Sequence, residues 1–331
     1  MKIPNKYRTI SLTVIGILTV IEILLRLIFG LGNPVLSQAD SETGYRFQPN
    51  QKIFRFGKHI KYNQYSQRSE PITTQKPPEK LRILMTGDSV LNGGNPTDQH
   101  QTITELLETK LSQSGQNVEV LNASAGSWGI GNELAYIRKF GTFQSDALIL
   151  QIGTHDLTQP KSTSERVGHD PNYPDHPPLS AIQEGFTRYV WPALAPTFKL
   201  NSTSAEIPRP LPAEIDKQFQ KNMNSLREIL SLAQKQKIPV FVLFTPNRED
   251  LIPTFQTPLY KSEFLQILKA AQVKVIDTHI AWSKLPPTTV NNYFRDEVHF
   301  TVAGNQAAAD LLFDQLCEAA TLPACSTQKN P

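Results

Sequence analysis

Cysteine, excess charge of one sign and internal repeats are scarce or missing in this sequence. Its 331 residues include two cysteines, and 33 basic residues are nearly balanced by 30 acidic ones. No basic run interleaved with aromatic residues occurs, so nucleic acid is not an expected partner. No residue pattern requires a metal ion or another cofactor. The hydrophobic content of 39% suits one large α/β domain with additions, or two small domains.

The two cysteines, Cys317 and Cys325, both lie near the C-terminus. An exported chain reaches an oxidising compartment, where a disulfide can close a loop of this length. The alternative is two unpaired thiols, with Cys317 buried on the last helix. The sequence leaves both possibilities open.

Long apolar runs are also missing, except at the N-terminus. Residues 10–31 form such a run, interrupted by Glu22 and Arg26, and its length is about the 20 residues that cross a bilayer. Because Glu22 and Arg26 are four residues apart, they can pair on one face of a helix. The run is preceded by three basic residues, Lys2, Lys6 and Arg8. Few basic residues follow it directly, which favours a cytoplasmic N-terminus and an exported body.

No clean cleavage site follows Leu31, and residues 35–39 make only a weak one. We therefore expect a retained single-pass anchor with the body on the extracytoplasmic side. A cleaved signal peptide and an amphipathic helix resting on the membrane remain alternatives.

The chain divides into a tip and anchor (1–32), an irregular polar segment ending in a Pro-rich linker (33–80), a catalytic domain (81–320) and a tail (321–331). Residues 157–212 are too long and too rich in proline for an ordinary connection, so we predict an insertion there. The insertion would form a wall or a lid of the site. Its aromatic residues would stack on sugar rings, line an acyl pocket or simply pack on the sheet.

From residue 81 onward, strand and helix signals alternate. We predict strands at 82–86, 118–121, 147–152, 239–244 and 273–276, and helices at 102–111, 133–140, 215–236, 264–271 and 303–316. Such alternation is typical of a parallel sheet covered on both faces. With right-handed crossovers it predicts a three-layer α/β/α sandwich, a flavodoxin-like parallel sheet of about five strands preceded by one transmembrane helix.

Polar motifs follow the first three predicted strands, and a fourth precedes the last helix. Ser89 lies in Gly87-Asp88-Ser89 after the first strand, Gly126 follows the second, and His155 lies in Gly153-Thr154-His155-Asp156 after the third. Asp296 and His299 lie three residues apart on the late loop. The carboxyl ends of parallel strands meet at one sheet edge, where ligands bind. These loops hold a nucleophile, a base, an orienting acid and oxyanion donors, which are the parts of an acyl-transfer site.

These motifs resemble the four marker segments of the SGNH (GDSL) hydrolase family, over roughly residues 80–316. The resemblance implies that Ser89 is the nucleophile, that His299 takes its proton and that Asp296 holds the His299 ring. It also implies an oxyanion hole formed by the backbone N–H groups of Ser89 and Gly126. In the family an Asn of the third segment donates to the oxyanion. Here His155 takes its position, and we expect a ring N–H to replace the amide.

A second acid–histidine pair, Asp277 and His279, directly follows the fifth predicted strand. The family's pair comes later, in a loop that leads into the last helix. We therefore interpret His279 as a structural residue.

The sequence thus predicts a serine-dependent ester hydrolase or O-acyltransferase that acts through an acyl-enzyme on an acylated glycan or another cell-envelope substrate. It is expected to need no cofactor and to contact the membrane through its N-terminal helix. A lysophospholipase or thioesterase is one alternative. A non-catalytic carbohydrate-binding module with the same fold is another.

Overall fold

The computed structural model describes residues 5–194 and 211–318. It begins with a long helix and two short antiparallel hairpins: α1 (Asn5–Phe29), β1 (Ser37–Asp40), β2 (Gly44–Phe47), β3 (Gln51–Arg55) and β4 (Lys58–Tyr62). Alternating strands and helices follow: β5 (Leu81–Gly87), α2 (Ser89–Asn92), α3 (Ile103–Gln113), β6 (Val118–Ser124), α4 (Ile130–Phe140), β7 (Ala147–Gly153), α5 (Ala181–Gly185) and α6 (Trp191–Leu194). The chain continues with α7 (Pro212–Lys235), β8 (Val240–Thr245), α8 (Lys261–Ala270), β9 (Lys274–Asp277), α9 (Thr278–Trp282), α10 (Pro287–Tyr293) and α11 (Val302–Glu318).

The last five strands form one parallel sheet in the order β6-β5-β7-β8-β9. This is the flavodoxin order, in which the chain reverses its direction of growth between β5 and β7 and a crevice opens at their carboxyl ends. The predicted three-layer α/β/α sandwich with a five-stranded parallel sheet is therefore confirmed. Ser89 and His155 follow the two strands that flank the crevice.

Each face of the sheet packs against its own layer of helices. Leu84 of β5 contributes to the apolar cluster that includes residues of α4, α7 and α8. Its neighbours Ile83 and Met85 contribute to the opposite cluster, with residues of α3 and α11. All three side chains are fully buried, and each such burial contributes roughly 1.5–3 kcal/mol. Burial on both faces is the reason that these strands are continuous apolar runs rather than alternating ones.

The prediction of an irregular segment is wrong for residues 37–62, which form the two hairpins. Their strands are four or five residues long and carry many polar side chains, so the local pattern is weak. Some side chains of the hairpins are nevertheless buried against other parts of the protein. Tyr45 and Ile60, for example, are at most 2% exposed. The backbone N–H of Arg68, shortly after the second hairpin, donates to the carbonyl of Asn122 in β6. Tertiary contacts, rather than local periodicity, therefore order this segment.

Among the residues that the structure describes, one helix, Lys6–Phe29, is long and apolar enough to cross a membrane, with a mean hydropathy of 2.4 over its most apolar window. The predicted insertion follows β7 and contains α5 and α6. Residues 195–210 of the insertion, Cys325 and the predicted tail 321–331 lie outside the described residues. The pairing of Cys317 with Cys325 stays a prediction.

Candidate active site

Ser89 is the first residue of α2 and lies two residues beyond the end of β5. Asp88 caps this short helix, because its Oδ1 accepts a hydrogen bond of 2.8 Å from the backbone N–H of Val90. Asn92, at the end of the helix, donates through its side chain to the carbonyl of Ser124 at the end of β6, at 3.0 Å. Both ends of α2 are therefore fixed to the sheet edge, with the partly exposed Ser89 hydroxyl between them.

The structure brings Ser89, His299 and Asp296 together across 210 residues of sequence. Nε2 of His299 lies 2.9 Å from Oγ of Ser89. Nδ1 of the same ring lies 2.9 Å from each carboxylate oxygen of Asp296. These distances are those of hydrogen bonds, and the order hydroxyl–imidazole–carboxylate is that of a catalytic triad.

Local contacts hold the carboxylate of Asp296. Its Oδ1 accepts hydrogen bonds from the backbone N–H groups of Val298 and His299, at 2.9 and 2.8 Å. Partial burial acts to raise the pKa of Asp296, but these hydrogen bonds and the contact with the His299 ring outweigh it and lower that pKa. Asp296 is therefore ionised at neutral pH, the state that stabilises an imidazolium at His299.

The loop that carries this pair is closed on itself. Phe294 and Phe300 form an antiparallel bridge, and the backbone N–H of Arg295 donates to the carbonyl of His299 at 2.8 Å. The rings of Phe294 and Phe300 are buried and pack against Trp282. This aromatic packing keeps His299 beside Ser89, although the side chains of His299 and Asp296 are 33% and 49% exposed.

Gly126 lies two residues after β6, in the second of the four loops. Its carbonyl accepts a hydrogen bond from the hydroxyl of Tyr45 in β2. That contact links the N-terminal hairpin to this edge of the sheet. The N–H of Ser89 belongs to the first turn of α2, where amide groups have no partner within the helix. The two predicted backbone donors thus come from the first and second loops.

His155 lies on the third loop, and both of its ring nitrogens contact other side chains. Nε2 lies 2.7 Å from Oδ2 of Asp88, and Nδ1 lies 3.1 Å from Oδ1 of Asn247. Gly153 makes room for this ring, since a Cβ there would lie 2.6 Å from Cε1 of His155. To donate to an oxyanion, the ring would have to release one of these two partners. The predicted oxyanion role of His155 therefore stays a hypothesis.

Two carboxylates surround the His155 ring and favour its charged form. Burial alone would lower the pKa of His155, but the charge of Asp156 and the hydrogen bond and charge of Asp88 raise it to about 10. Burial and the nearby Asp88 charge also raise the pKa of Asp156, and the imidazolium offsets only part of this. His155 is thus a cation at neutral pH, and it neutralises the Asp88 carboxylate that caps the helix of Ser89.

Asp88, His155 and Asp156 are also the described side chains whose ligand atoms lie close enough together to hold a metal ion. The distance of 2.7 Å between Nε2 of His155 and Oδ2 of Asp88 is that of a charge-assisted hydrogen bond.

The second acid–histidine pair has a different environment. His279 is fully buried, with Nδ1 at 2.7 Å from Nζ of Lys261 and Nε2 at 3.2 Å from the carbonyl of Asp250. Asp277 caps α9 and pairs with Lys261. These contacts agree with the structural role predicted for His279.

Sequence reasoning did not identify the partners of His155. Asn247 follows β8 and meets His155 across 92 residues. Glu133 of α4 is buried behind the site and accepts a hydrogen bond from Thr86 at 2.6 Å. Burial raises the pKa of Glu133 well above its ordinary value. An Asn at the carboxyl end of a fourth strand was the one available signal, since all such strand ends meet at this edge.

Residues 85–307, more than half of the chain, match the family described as GDSL-like lipase/acylhydrolase. No match was found among curated proteins.

Several solved structures have a similar fold. One is TesA, with 12% sequence identity and a TM-score of 0.44 over 73% of this chain and 99% of TesA. Another is a lipase/acylhydrolase from Enterococcus faecalis, with 15% identity and a TM-score of 0.43 over 71% of this chain and 95% of that protein. A third is the psychrotrophic esterase EstA from Pseudoalteromonas sp., with 13% identity and a TM-score of 0.43 over 73% of this chain and 99% of that protein.

Proposed function

We propose that this chain, which belongs to the GDSL-like lipase/acylhydrolase family and is an ester hydrolase, uses Ser89 as its nucleophile, His299 as general base and Asp296 as the orienting acid. The observation that supports this most directly is the distance of 2.9 Å between Nε2 of His299 and Oγ of Ser89. A serine hydroxyl is a poor nucleophile at its own pKa and needs such a base.

The reaction proceeds in two steps. Oγ of Ser89 attacks the ester carbonyl while Nε2 of His299 takes the hydroxyl proton, and the resulting imidazolium is stabilised by Asp296. Collapse of the tetrahedral intermediate breaks the ester C–O bond, and His299 returns the proton to the departing alcohol. The acyl group then stays on Ser89. Water, or the hydroxyl of an acceptor, attacks this acyl-enzyme with His299 again taking the proton, which frees Ser89.

The developing oxyanion is stabilised by the backbone N–H groups of Ser89 and Gly126. Donors of this kind contribute about a hundredfold or more each to kcat. His155 contributes indirectly, because it contacts Asp88, which caps the first turn of α2 beside Ser89.

The substrate is an ester of a polar molecule, such as an acylated glycan of the cell envelope. A groove of about 500 Å³ lies beside the catalytic loop, and it is lined by four polar residues and three apolar ones: Arg248, Thr288, Asn291, Asn292, Ile252, Pro253 and Pro287. Arg248 contacts Glu297, within the catalytic loop, at 3.3 Å. The guanidinium, amide and hydroxyl groups can hydrogen-bond to sugar hydroxyls, and the isoleucine and proline side chains can pack against a sugar ring or a short acyl group.

The lipid-directed alternative requires an apolar groove beside Ser89. A larger groove of about 1000 Å³ lies between α7 and α8, at the opposite end of the strands, and is lined in part by Lys237, Pro239 and Val273. Because Ser89 lies at the other end of the strands, this groove does not favour a lysophospholipase or thioesterase.

The N-terminal helix serves as a retained anchor, with the catalytic domain on the extracytoplasmic side. The support is the length and hydropathy of Lys6–Phe29 and the basic residues that precede it. An anchored enzyme meets esters of the envelope on the side where they occur.

The mechanism is tested with a fluorophosphonate probe on the full-length chain in detergent. We expect the probe to label the wild type and to leave Ser89→Ala unlabelled. Ser112→Ala, which removes an exposed hydroxyl of α3, is the matched control and should label like wild type. Labelling of Ser89→Ala at the wild-type rate would refute the assignment.

The substrate is tested with a panel of short-chain and long-chain acyl esters, each with and without free glycan. We expect short-chain esters of polar alcohols to turn over fastest. Transfer of the acyl group to the glycan would identify an acyltransferase. Preference for long-chain esters would favour the lipid-directed alternative instead.

A further inference from the structure

The end of α1 is attached to two other parts of the chain. The backbone N–H of Phe56, at the tip of the β3–β4 hairpin, donates to the carbonyl of Phe29 at 3.0 Å. Arg55 donates to the carbonyl of Gly30 at 3.2 Å. Gly30 allows this close approach, since a Cβ there would lie 1.9 Å from the carbonyl oxygen of Phe54. The helix end is therefore docked on the domain and is not a flexible tether.

The insertion docks on the same helix. Glu22 of α1 accepts hydrogen bonds from the backbone N–H groups of Ala181 and Ile182, the first residues of α5, at 2.8 and 3.0 Å. A carboxylate is favourable at a helix N-terminus. Glu22 lies seven residues before Phe29, the last residue of α1, so this contact holds the start of α5 about 10 Å back along the span. If α1 crosses a bilayer, α5 begins at the depth of its interface.

Aromatic side chains surround this junction. Phe29, Phe56, Phe186, Tyr189 and Trp191, which we name the aromatic collar, are each between 42% and 50% exposed. The ring centroids of Phe29 and Phe56 are 6.2 Å apart, those of Phe56 and Tyr189 are 5.6 Å apart, and those of Phe186 and Trp191 are 6.1 Å apart. The collar therefore runs from the end of α1 through the hairpin tip to the helical segment 181–194.

Phe56 occupies an unfavourable backbone position. The tip of the hairpin has positive φ at both Phe56 (48°) and Gly57 (77°), where Asn-Gly is the usual pair. Positive φ is strained for a bulky residue. Turn geometry does not explain the phenylalanine, whereas a role for its ring at the end of α1 does.

The helical segment 181–194 presents no free charge beside the collar. Its charged residues are Glu184 and Arg188. Glu184 is 3% exposed and forms a buried ion pair with Arg55. Arg188 lies 3.7 Å from the same carboxylate and is 19% exposed. Apart from Gln183 and Thr187, the exposed residues of the segment are apolar or aromatic, and Leu179 just before it is 93% exposed.

We propose that the aromatic collar and the helical segment 181–194 bind the lipid bilayer surface around the end of α1. Tryptophan and tyrosine are enriched where membrane meets water, and an apolar helical face lies naturally at the headgroup boundary. The bilayer contact and the docked helix together hold the catalytic domain in one orientation above the membrane. The inference rests on α1 crossing the bilayer and is independent of the catalytic assignment.

The test uses Trp191 as a reporter in the full-length chain, reconstituted into phosphatidylcholine–phosphatidylglycerol vesicles. The other two tryptophans, Trp128 and Trp282, are at most 3% exposed, so Trp191 dominates the quenchable emission. Phospholipids with a doxyl group at carbon 5 quench from the interface, and acrylamide quenches from water. We expect doxyl lipid to quench Trp191 and acrylamide to leave it largely unquenched.

Two variants are the controls. Trp191→Phe should lose the lipid-quenched component. Adding Phe255→Trp to that variant moves the reporter to another exposed aromatic position, stacked on His279 beyond β9 at the far edge of the sheet from the hairpins. Its emission should be quenched by acrylamide and not by doxyl lipid.

Three outcomes would overturn the proposal. Trp191 quenched by acrylamide alone would mean that the collar faces water. Trp191 shielded from both quenchers would mean that a second copy or another protein covers it. Recovery of the chain free of the vesicles would refute both the membrane anchor and the bilayer contact of the collar. It would leave the catalytic role proposed for Ser89 untouched, because that role is tested separately by esterase activity.

Discussion

Replacing His155 by alanine should destabilise the protein strongly, and Asp88→Asn should recover part of the loss. The His155 ring faces the Asp88 carboxylate at 2.7 Å, and the Asp88 side chain is 2% exposed. His155→Ala therefore leaves a buried carboxylate without its cation. Removing one partner of a buried ion pair costs about 3–5 kcal/mol.

Asp88→Asn alone should cost much less. The Asn oxygen can still cap α2 by accepting from Val90, which lies 2.8 Å from Oδ1 of Asp88. The Asn amide can donate to Nε2 of a neutral His155, so the hydrogen bond survives with the charges removed. We expect a loss of about 1 kcal/mol. In the double variant no unpaired charge remains, so it should be more stable than His155→Ala.

The stability that His155 contributes depends on pH, because the pKa of His155 is higher in the folded protein than in the unfolded one. The surrounding carboxylates raise the pKa of His155 to about 10, whereas its unfolded value is about 6.5. A raised folded pKa contributes stability that is fully present below about pH 6.5 and is lost as the pH rises through about 10. The stability difference between wild type and His155→Ala should therefore narrow between pH 7 and pH 10.

These effects are measured by urea unfolding of the full-length chain in detergent, followed by far-UV circular dichroism, for the four members of the double-mutant cycle. A double variant no more stable than His155→Ala would refute the ion pair. A stability difference that widens from pH 7 to pH 10 would contradict the assigned charge of His155.

Three further predictions concern the triad, the anchor and the junction. Ser89→Ala and His299→Ala should each lower kcat by about 10⁴-fold or more with the fold unchanged, and Asp296→Asn should be less severe, as measured with an activated ester and circular dichroism. Because Lys6–Phe29 is long enough to span a bilayer, the full chain should stay in the membrane pellet after a carbonate wash, and its release into the supernatant would contradict the anchor. Glu184→Gln leaves buried Arg55 unpaired and should cost about 3–5 kcal/mol in urea unfolding, and a loss below 1 kcal/mol would show that the junction does not depend on this pair.

The sheet and the order of the active-site loops could be predicted because their signals are local. Strands buried on both faces are continuous apolar runs, so the segment before Ser89 and the segment before His155 were recognisable without knowledge of their neighbours. A parallel sheet then brings its carboxyl ends to one edge whatever the detailed packing is. The pairing of Ser89 with His299 followed from this topology together with the family motif.

The contacts that only the tertiary structure decided are those between polar groups far apart in sequence. His155 meets Asp88 across 67 residues and Asn247 across 92, and these partners make the ring a cation occupied at both nitrogens. Glu22 meets Ala181 across 159 residues and thereby places the insertion on the N-terminal helix. Side-chain hydrogen bonds depend on distances of a few tenths of an ångström and have no periodicity. The sequence therefore determined the fold and the set of chemical groups at the site, whereas packing determined the charge of His155 and the docking of α1.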